Sequence, residues 1–192
     1  MSLSETVVAA VSPHPAVESI ELVGSRAEGR ETERSDWDFA VRAHDFGAVV
    51  EALPGLLTPL EPLVQQWDRL GEEYCWMLIL RGPVKVDLIF PDEPHAKEGP
   101  WQVGPDTLAG LDDHFWDWML WLRSKQAAGK DELVVSELRK LFVHLLAPVG
   151  VETAPASIAE AVERYRGARS RSERRFGVTV GRELENAVAP AL

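Results

Sequence analysis

The stretch that decides the fold is Val17-Glu18-Ser19-Ile20-Glu21-Leu22-Val23-Gly24-Ser25-Arg26-Ala27-Glu28-Gly29, followed by Ser35-Asp36-Trp37-Asp38-Phe39-Ala40-Val41. Residues 17–23 alternate in the manner of a strand, and Gly24-Ser25 ends it. Ser25 to Gly29 is expected to open a short helix with Ser25 near its N-cap. Residues 36–41 read as a second strand. Side chains alternate faces along a strand, so Asp36, Asp38 and Ala40 share one face while Trp37, Phe39 and Val41 take the other, toward a core. Two carboxylates held side by side repel by about 1 to 4 kcal/mol, depending on the local dielectric. A divalent cation between them removes that cost, and oxygen-only ligands favour magnesium or manganese over zinc. Gly24 lets backbone approach a ligand closely, the amides that follow it suit a phosphate, and Ser25 adds a hydroxyl. Arg26 and Arg30 add positive charge for a triphosphate tail.

Working outward, Ser4–Val11 suggests a helix stopped by Pro13-His14-Pro15, and Asp45–Leu53 a second helix ended by Pro54-Gly55. Leu63–Leu70, Glu73–Leu80 and Val84–Phe90 read as strands, the last two joined through Arg81-Gly82-Pro83. Asp87 is a single acid in the apolar run Val84-Lys85-Val86-Asp87-Leu88-Ile89-Phe90. Burying a lone carboxylate is costly unless it is paired or metal-bound. If its strand lies beside residues 36–41, Asp87 joins the same metal site.

Gly-Ser, a glycine four residues beyond the serine, Ser-Asp-x-Asp, and a later lone Asp on a strand together resemble the DNA polymerase β-like nucleotidyltransferase superfamily. The resemblance is to its minimal branch, which includes aminoglycoside and lincosamide nucleotidyltransferases, and it covers residues 17–90. It implies that Gly24 and Ser25 hold the β- and γ-phosphates of ATP or another NTP. Asp36 and Asp38 would bind two Mg2+ ions, with Mn2+ as a substitute. Asp87 would bind the catalytic metal and accept the proton of the acceptor hydroxyl. The implied reaction is transfer of a nucleoside monophosphate, AMP from ATP, to a hydroxyl of a small molecule, with release of pyrophosphate. An aminoglycoside-like antibiotic is the leading acceptor. The alternatives are an adenylyltransferase of antitoxin type acting on a protein, and a family member that binds nucleotide without turnover. Each motif piece also has an ordinary reading. Gly24-Ser25 suits a plain turn, Asp36 and Asp38 a solvated strand face, and Asp87 an ion pair with Lys85 on the same strand face.

Residues 91–105 are rich in Pro, Gly and charge and read as a linker, after which the pattern turns helical over 107–128, 131–146, 157–165 and 183–188. The expected architecture is α+β: a mixed β-sheet nucleotidyltransferase core with flanking helices over residues 1–95, followed by an all-α, substrate-binding domain over 96–192. On the first long helix, Asp113, Asp117 and Trp121 lie at i, i+4 and i+8 and so share a face. Acids beside an aromatic platform suit a cationic, sugar-like acceptor; a core helix with a wet acidic edge is the plainer alternative. Lys125 lies a turn further along and is a candidate nucleotide contact if this helix faces the cleft; a plain surface lysine is the ordinary reading. Six arginines between 164 and 175 form a basic stretch, and interleaved Glu163 and Glu173 suggest a solvated helix.

The formal net charge of −11 repels nucleic-acid phosphates and suits a polycationic small molecule, while solubility alone also accounts for an acidic surface. Cys75 is the single cysteine, so no internal disulfide can form, as expected of a cytoplasmic protein. The N-terminal stretch lacks the pattern of a secretory leader, and no apolar run is long enough for a membrane span. Sequence leaves the oligomeric state unknown.

Overall fold

The computed structural model describes residues 2–96 and 98–192, so Lys97 of the expected linker lies outside the described residues. The chain divides into two compact units, Met1–Glu98 and Gly99–Leu192.

The first unit is α+β. Its elements are helix α1 (Leu3–Val11), strand β1 (Val17–Val23), the single turn α2 (Gly24–Ala27), β2 (Trp37–Ala43), α3 (Phe46–Leu56), β3 (Val64–Trp67), β4 (Tyr74–Leu80) and β5 (Val84–Phe90). The five strands form one mixed sheet in the order β1-β2-β5-β4-β3. β2 and β5 run parallel, whereas β1–β2, β4–β5 and β3–β4 are antiparallel. Alternation on β2 follows the sequence pattern: Phe39 and Val41 enter the core with Val86, Leu88 and Phe90 of β5 and Trp76, Leu78 and Leu80 of β4. Val7 and Val11 of α1 and Val49 and Leu53 of α3 complete that core.

Local chemistry explains the boundaries. Ser2 and Glu5 close a capping box at α1, with Glu5 N–H donating to Ser2 Oγ at 3.2 Å and Ser2 N–H to Glu5 Oε2 at 2.7 Å. α3 runs past the expected stop at Leu53 and carries Pro54 inside its last turn. Val49, Leu53 and Leu57 are fully buried at helical spacing, and that packing outweighs the one backbone bond proline cannot donate. β3 is shorter than the expected 63–70, because Asp68 Oδ1 accepts from the N–H groups of Leu70 (2.9 Å) and Gly71 (3.0 Å) and turns the chain.

The second unit is helical: α4 (Leu108–Ala127), α5 (Asp131–Leu141), a π-helical turn (Phe142–Leu146), α6 (Ile158–Phe176) and α7 (Glu183–Val188). The helix expected over 131–146 changes geometry at Phe142, where Ala147 N–H reaches back to Phe142 O at 2.8 Å, just ahead of Pro148. α6 extends through the arginine-rich stretch instead of ending at Tyr165. It starts at the N-cap Ser157 and stops at Gly177, whose φ of +67° supplies the left-handed cap. Among the described residues no helix is long and apolar enough to cross a membrane.

Candidate active site

β1, α2 and β2 build the first half of the site. β1 delivers the chain to Gly24, which has φ of +69°. A Cβ at this position would lie 2.4 Å from Asp38 Oδ2. Glycine is therefore required twice, for backbone conformation and for the close approach of the Asp38 carboxylate. The helical turn that follows starts earlier than the sequence suggests: its N-cap is Val23, which makes no side-chain cap, and Ser25 sits inside the turn. One turn carries little macrodipole, so what it can offer an anion is its N–H groups and the Ser25 hydroxyl.

The segment leading into β2 is held by Arg26. Its Nε donates to the carbonyls of Ser35 (3.1 Å) and Asp36 (3.0 Å), its Nη2 donates to Ser35 O (2.6 Å), and its guanidinium lies 4.1 Å from the centroid of the Trp37 ring. Thr32 N–H donates to Ser35 Oγ at 2.9 Å and tightens the same turn. The contacts of Arg26 thus tie α2 to the acidic segment, a positioning role that sequence reading missed. Arg30 pairs with Glu28 at an exposed position.

Asp36 is buried and lies just before β2, so the loop held by Arg26, and not strand alternation alone, sets its place. Asp38 lies within β2, paired with Val23 on one side and Asp87 on the other. The strand neighbour needed for Asp87 is therefore present. Parallel β2 and β5 set Asp38 beside Asp87 in register, and neighbouring strands are about 4.8 Å apart. Asp87 is buried and flanked on its other side by Met77 of β4. Lys85, also buried, lies two residues earlier on the same strand face, and its Nζ donates to Asp87 Oδ1 at 2.7 Å.

The donor set, three carboxylates, is that of a hard divalent cation. Three ligands, however, do not close around one point: among the described residues no three His, Cys, Asp or Glu side chains converge closely enough to hold a metal ion together. The ammonium of Lys85 is already bonded to Asp87.

In the helical unit, Asp113, Asp117 and Trp121 lie along α4. Asp117 is buried, whereas Asp113 and Trp121 are half-buried. Burial, and secondarily the negative charge of Asp112, push the Asp113 carboxyl up to about 6. Lys125 Nζ sits 5.0 Å from the centroid of the Trp121 ring. The neighbouring Asp112 has a structural role that the sequence did not disclose. Its Oδ1 accepts from Tyr165 Oη and Arg169 Nη1, each at 2.7 Å, and Arg169 also pairs with Glu185. Burial works against ionisation of Glu185, yet Arg169 and Arg166 hold its carboxyl below the usual range. The arginine stretch is accordingly less solvated than its composition suggests. Arg169 is buried, Arg166 pairs with Glu185, Arg164 with Glu160, and Arg171 donates to Gly150 O at 3.2 Å.

No protein-family profile and no curated protein matches the sequence. Solved structures are similar at low identity. In the GLD-2/RNP-8 complex, one chain is 15% identical, with a TM-score of 0.38, covering 83% of this chain and 50% of that one. An aminoglycoside 6-adenyltransferase from Bacillus subtilis is 11% identical, with a TM-score of 0.36 and coverage of 95% and 93%. The polymerase core of TRAMP, an RNA surveillance complex, is 11% identical, with a TM-score of 0.37 and coverage of 93% and 58%. The chain spans about half the length of the GLD-2/RNP-8 match.

Proposed function

We propose that this chain transfers a nucleoside monophosphate, AMP from ATP, to a hydroxyl of a cationic small molecule, with release of pyrophosphate. The observation that carries this reading is the register of β2 and β5, which sets Asp38 beside Asp87, together with a glycine that lets the Asp38 carboxylate approach the backbone closely. In this reading the Gly24 backbone and Ser25 hold the β- and γ-phosphates. Asp36, Asp38 and Asp87 would hold Mg2+, or Mn2+ in its place. Such cations would supply stabilisation of developing negative charge. The acceptor hydroxyl attacks the α-phosphorus, the bond from that phosphorus to the bridging oxygen breaks, and the hydroxyl proton passes to Asp87. Arg26 acts from behind by fixing the backbone of Ser35 and Asp36.

On the helical unit, Asp113, Asp117 and Trp121 are the acceptor-binding face in this reading, and Lys125 is a nucleotide contact. An acidic pair beside an indole recognises ammonium groups on a sugar-like scaffold, so an aminoglycoside-like antibiotic is the acceptor class. The net charge of −11 favours approach of such a polycation.

The test is incubation with ATP labelled at the α-phosphate, Mg2+ and a panel of aminoglycosides, alongside a cell lysate. Label is expected on a small molecule, with pyrophosphate released. Label on a protein would instead favour the protein-modifying alternative. Asp36→Asn is expected to abolish transfer while leaving the circular dichroism spectrum unchanged. Transfer by that variant at the wild-type rate would contradict the assignment.

A further inference from the structure

Asp87 already holds an ammonium, and the surroundings of its carboxylate explain why. Asp38 and Asp87 face one another across paired strands, and Asp87 is buried. A buried carboxylate next to a second anion requires a cation nearby. Lys85 supplies it from within the chain: two residues earlier on the same strand face, buried, and 2.7 Å from Asp87 Oδ1. Its neighbours across the sheet reinforce the pairing. Lys85 lies opposite Ile79, and Asp87 opposite Met77. Both of those residues are buried, as are Lys85 and Asp87 themselves, so the pair is poorly screened by water.

We propose that Lys85 is a tethered counter-ion that occupies Asp87 and cedes it on uptake of a divalent cation, so that Lys85 sets the affinity of the site for metal. The inference rests on the metal-holding part of the reading above. It adds a residue that no part of that reading used. Lys85 is a positioning residue here: its ammonium holds the Asp87 carboxylate in place. Its cost is competition, because an ammonium and a divalent cation cannot both bond the same carboxylate oxygen without repelling each other. A site built this way holds metal weakly when alone and more firmly when a triphosphate brings further oxygen ligands with it.

The probe is Mn2+ alone, titrated into the full chain and followed by electron paramagnetic resonance, with thermal melting in chelator as a second readout. Lys85→Met is expected to bind Mn2+ about tenfold more tightly than wild type, or better. In chelator it is expected to melt several degrees lower, since Asp87 is left buried without its ammonium, and Mn2+ is expected to restore the melting point. Lys85→Arg, which keeps the charge, is expected to match wild type in both readouts. Lys85→Gln keeps a donor for Asp87 without charge and serves if the methionine variant does not fold; tighter Mn2+ binding is expected there too. Asp38→Asn is expected to lose Mn2+ binding. Equal or weaker Mn2+ binding by both uncharged variants, or no Mn2+ binding by any of them, would overturn the proposal. If the metal results are as expected but no nucleotide is transferred to any acceptor, the transfer reading fails and the role of Lys85 stands.

Discussion

Gly24 meets two demands with one missing atom. A side chain there would have to adopt a left-handed backbone, at a cost of roughly 1–2 kcal/mol, and would press a Cβ onto Asp38 Oδ2. Gly24→Ala is therefore expected to displace Asp38, cut transfer by about tenfold or more, and lower the melting temperature. A variant with wild-type kinetics would show that the contact is idle. Asp113 makes a prediction about pH. Its folded carboxyl titrates at about 6 against an ordinary 3.8, so between those values the folded protein holds the proton more firmly than the unfolded chain. Stability from this group is thus fully present below pH 3.8 and is lost as pH rises to about 6. The full penalty remains above that, roughly 1–2 kcal/mol after allowance for partial exposure to water. Asp113→Asn should be more stable than wild type at pH 8 and equal to it near pH 4, as read by denaturant titration at both values. The acid is expected to be kept for binding the acceptor at the expense of stability.

At the scale of elements, strand reading went furthest. Val17–Val23 and Val84–Phe90 have the boundaries their alternation and apolar content suggest. What escaped was set by contacts distant in sequence. Nothing local to Arg26 says that it reaches the carbonyls of Ser35 and Asp36, nine and ten residues on. Nothing local to Arg169 says that it is buried between Asp112 and Glu185 and not solvated with its neighbours. Pro54 shows the same limit from the other side, since the buried stripe of Val49, Leu53 and Leu57 carries α3 through a proline. Two predictions belong here. Arg26→Ala, by freeing the segment ahead of β2, is expected to weaken Mn2+ binding and slow transfer, with Arg26→Lys intermediate because lysine cannot make the forked contact. Arg169→Met leaves Asp112 and Glu185 buried without their shared cation and is expected to destabilise the helical unit by about 3 kcal/mol. A loss below about 1 kcal/mol, the level of an exposed pair, would show that Tyr165 and Arg166 carry the network without it.

On the scale of the molecule, the chain divides into two compact units, and in the first the apolar side chains of the sheet pack with those of α1 and α3. The candidate site was partly legible because its carboxylates sit on strands, where a period of two and a parallel neighbour set their relations. Asp36 lies just outside that regular frame, and Lys85 was visible only as the ordinary partner of Asp87. The charge of −11 adds a prediction for the whole chain. The KM for a polycationic acceptor should rise as salt is raised from low to physiological ionic strength, while the KM for an uncharged acceptor stays level. Equal salt dependence for both would separate the acidic surface from substrate capture.

The carboxylates of β2 and β5 are expected to support metal-dependent nucleotide binding, read by calorimetric titration with a non-hydrolysable ATP analogue in the presence and absence of Mg2+. Wild type is expected to bind the analogue only with Mg2+ present, and Asp38→Asn is expected to lose that binding while remaining folded. Undiminished Mg2+-dependent binding by Asp38→Asn, or no binding by wild type, would contradict the account.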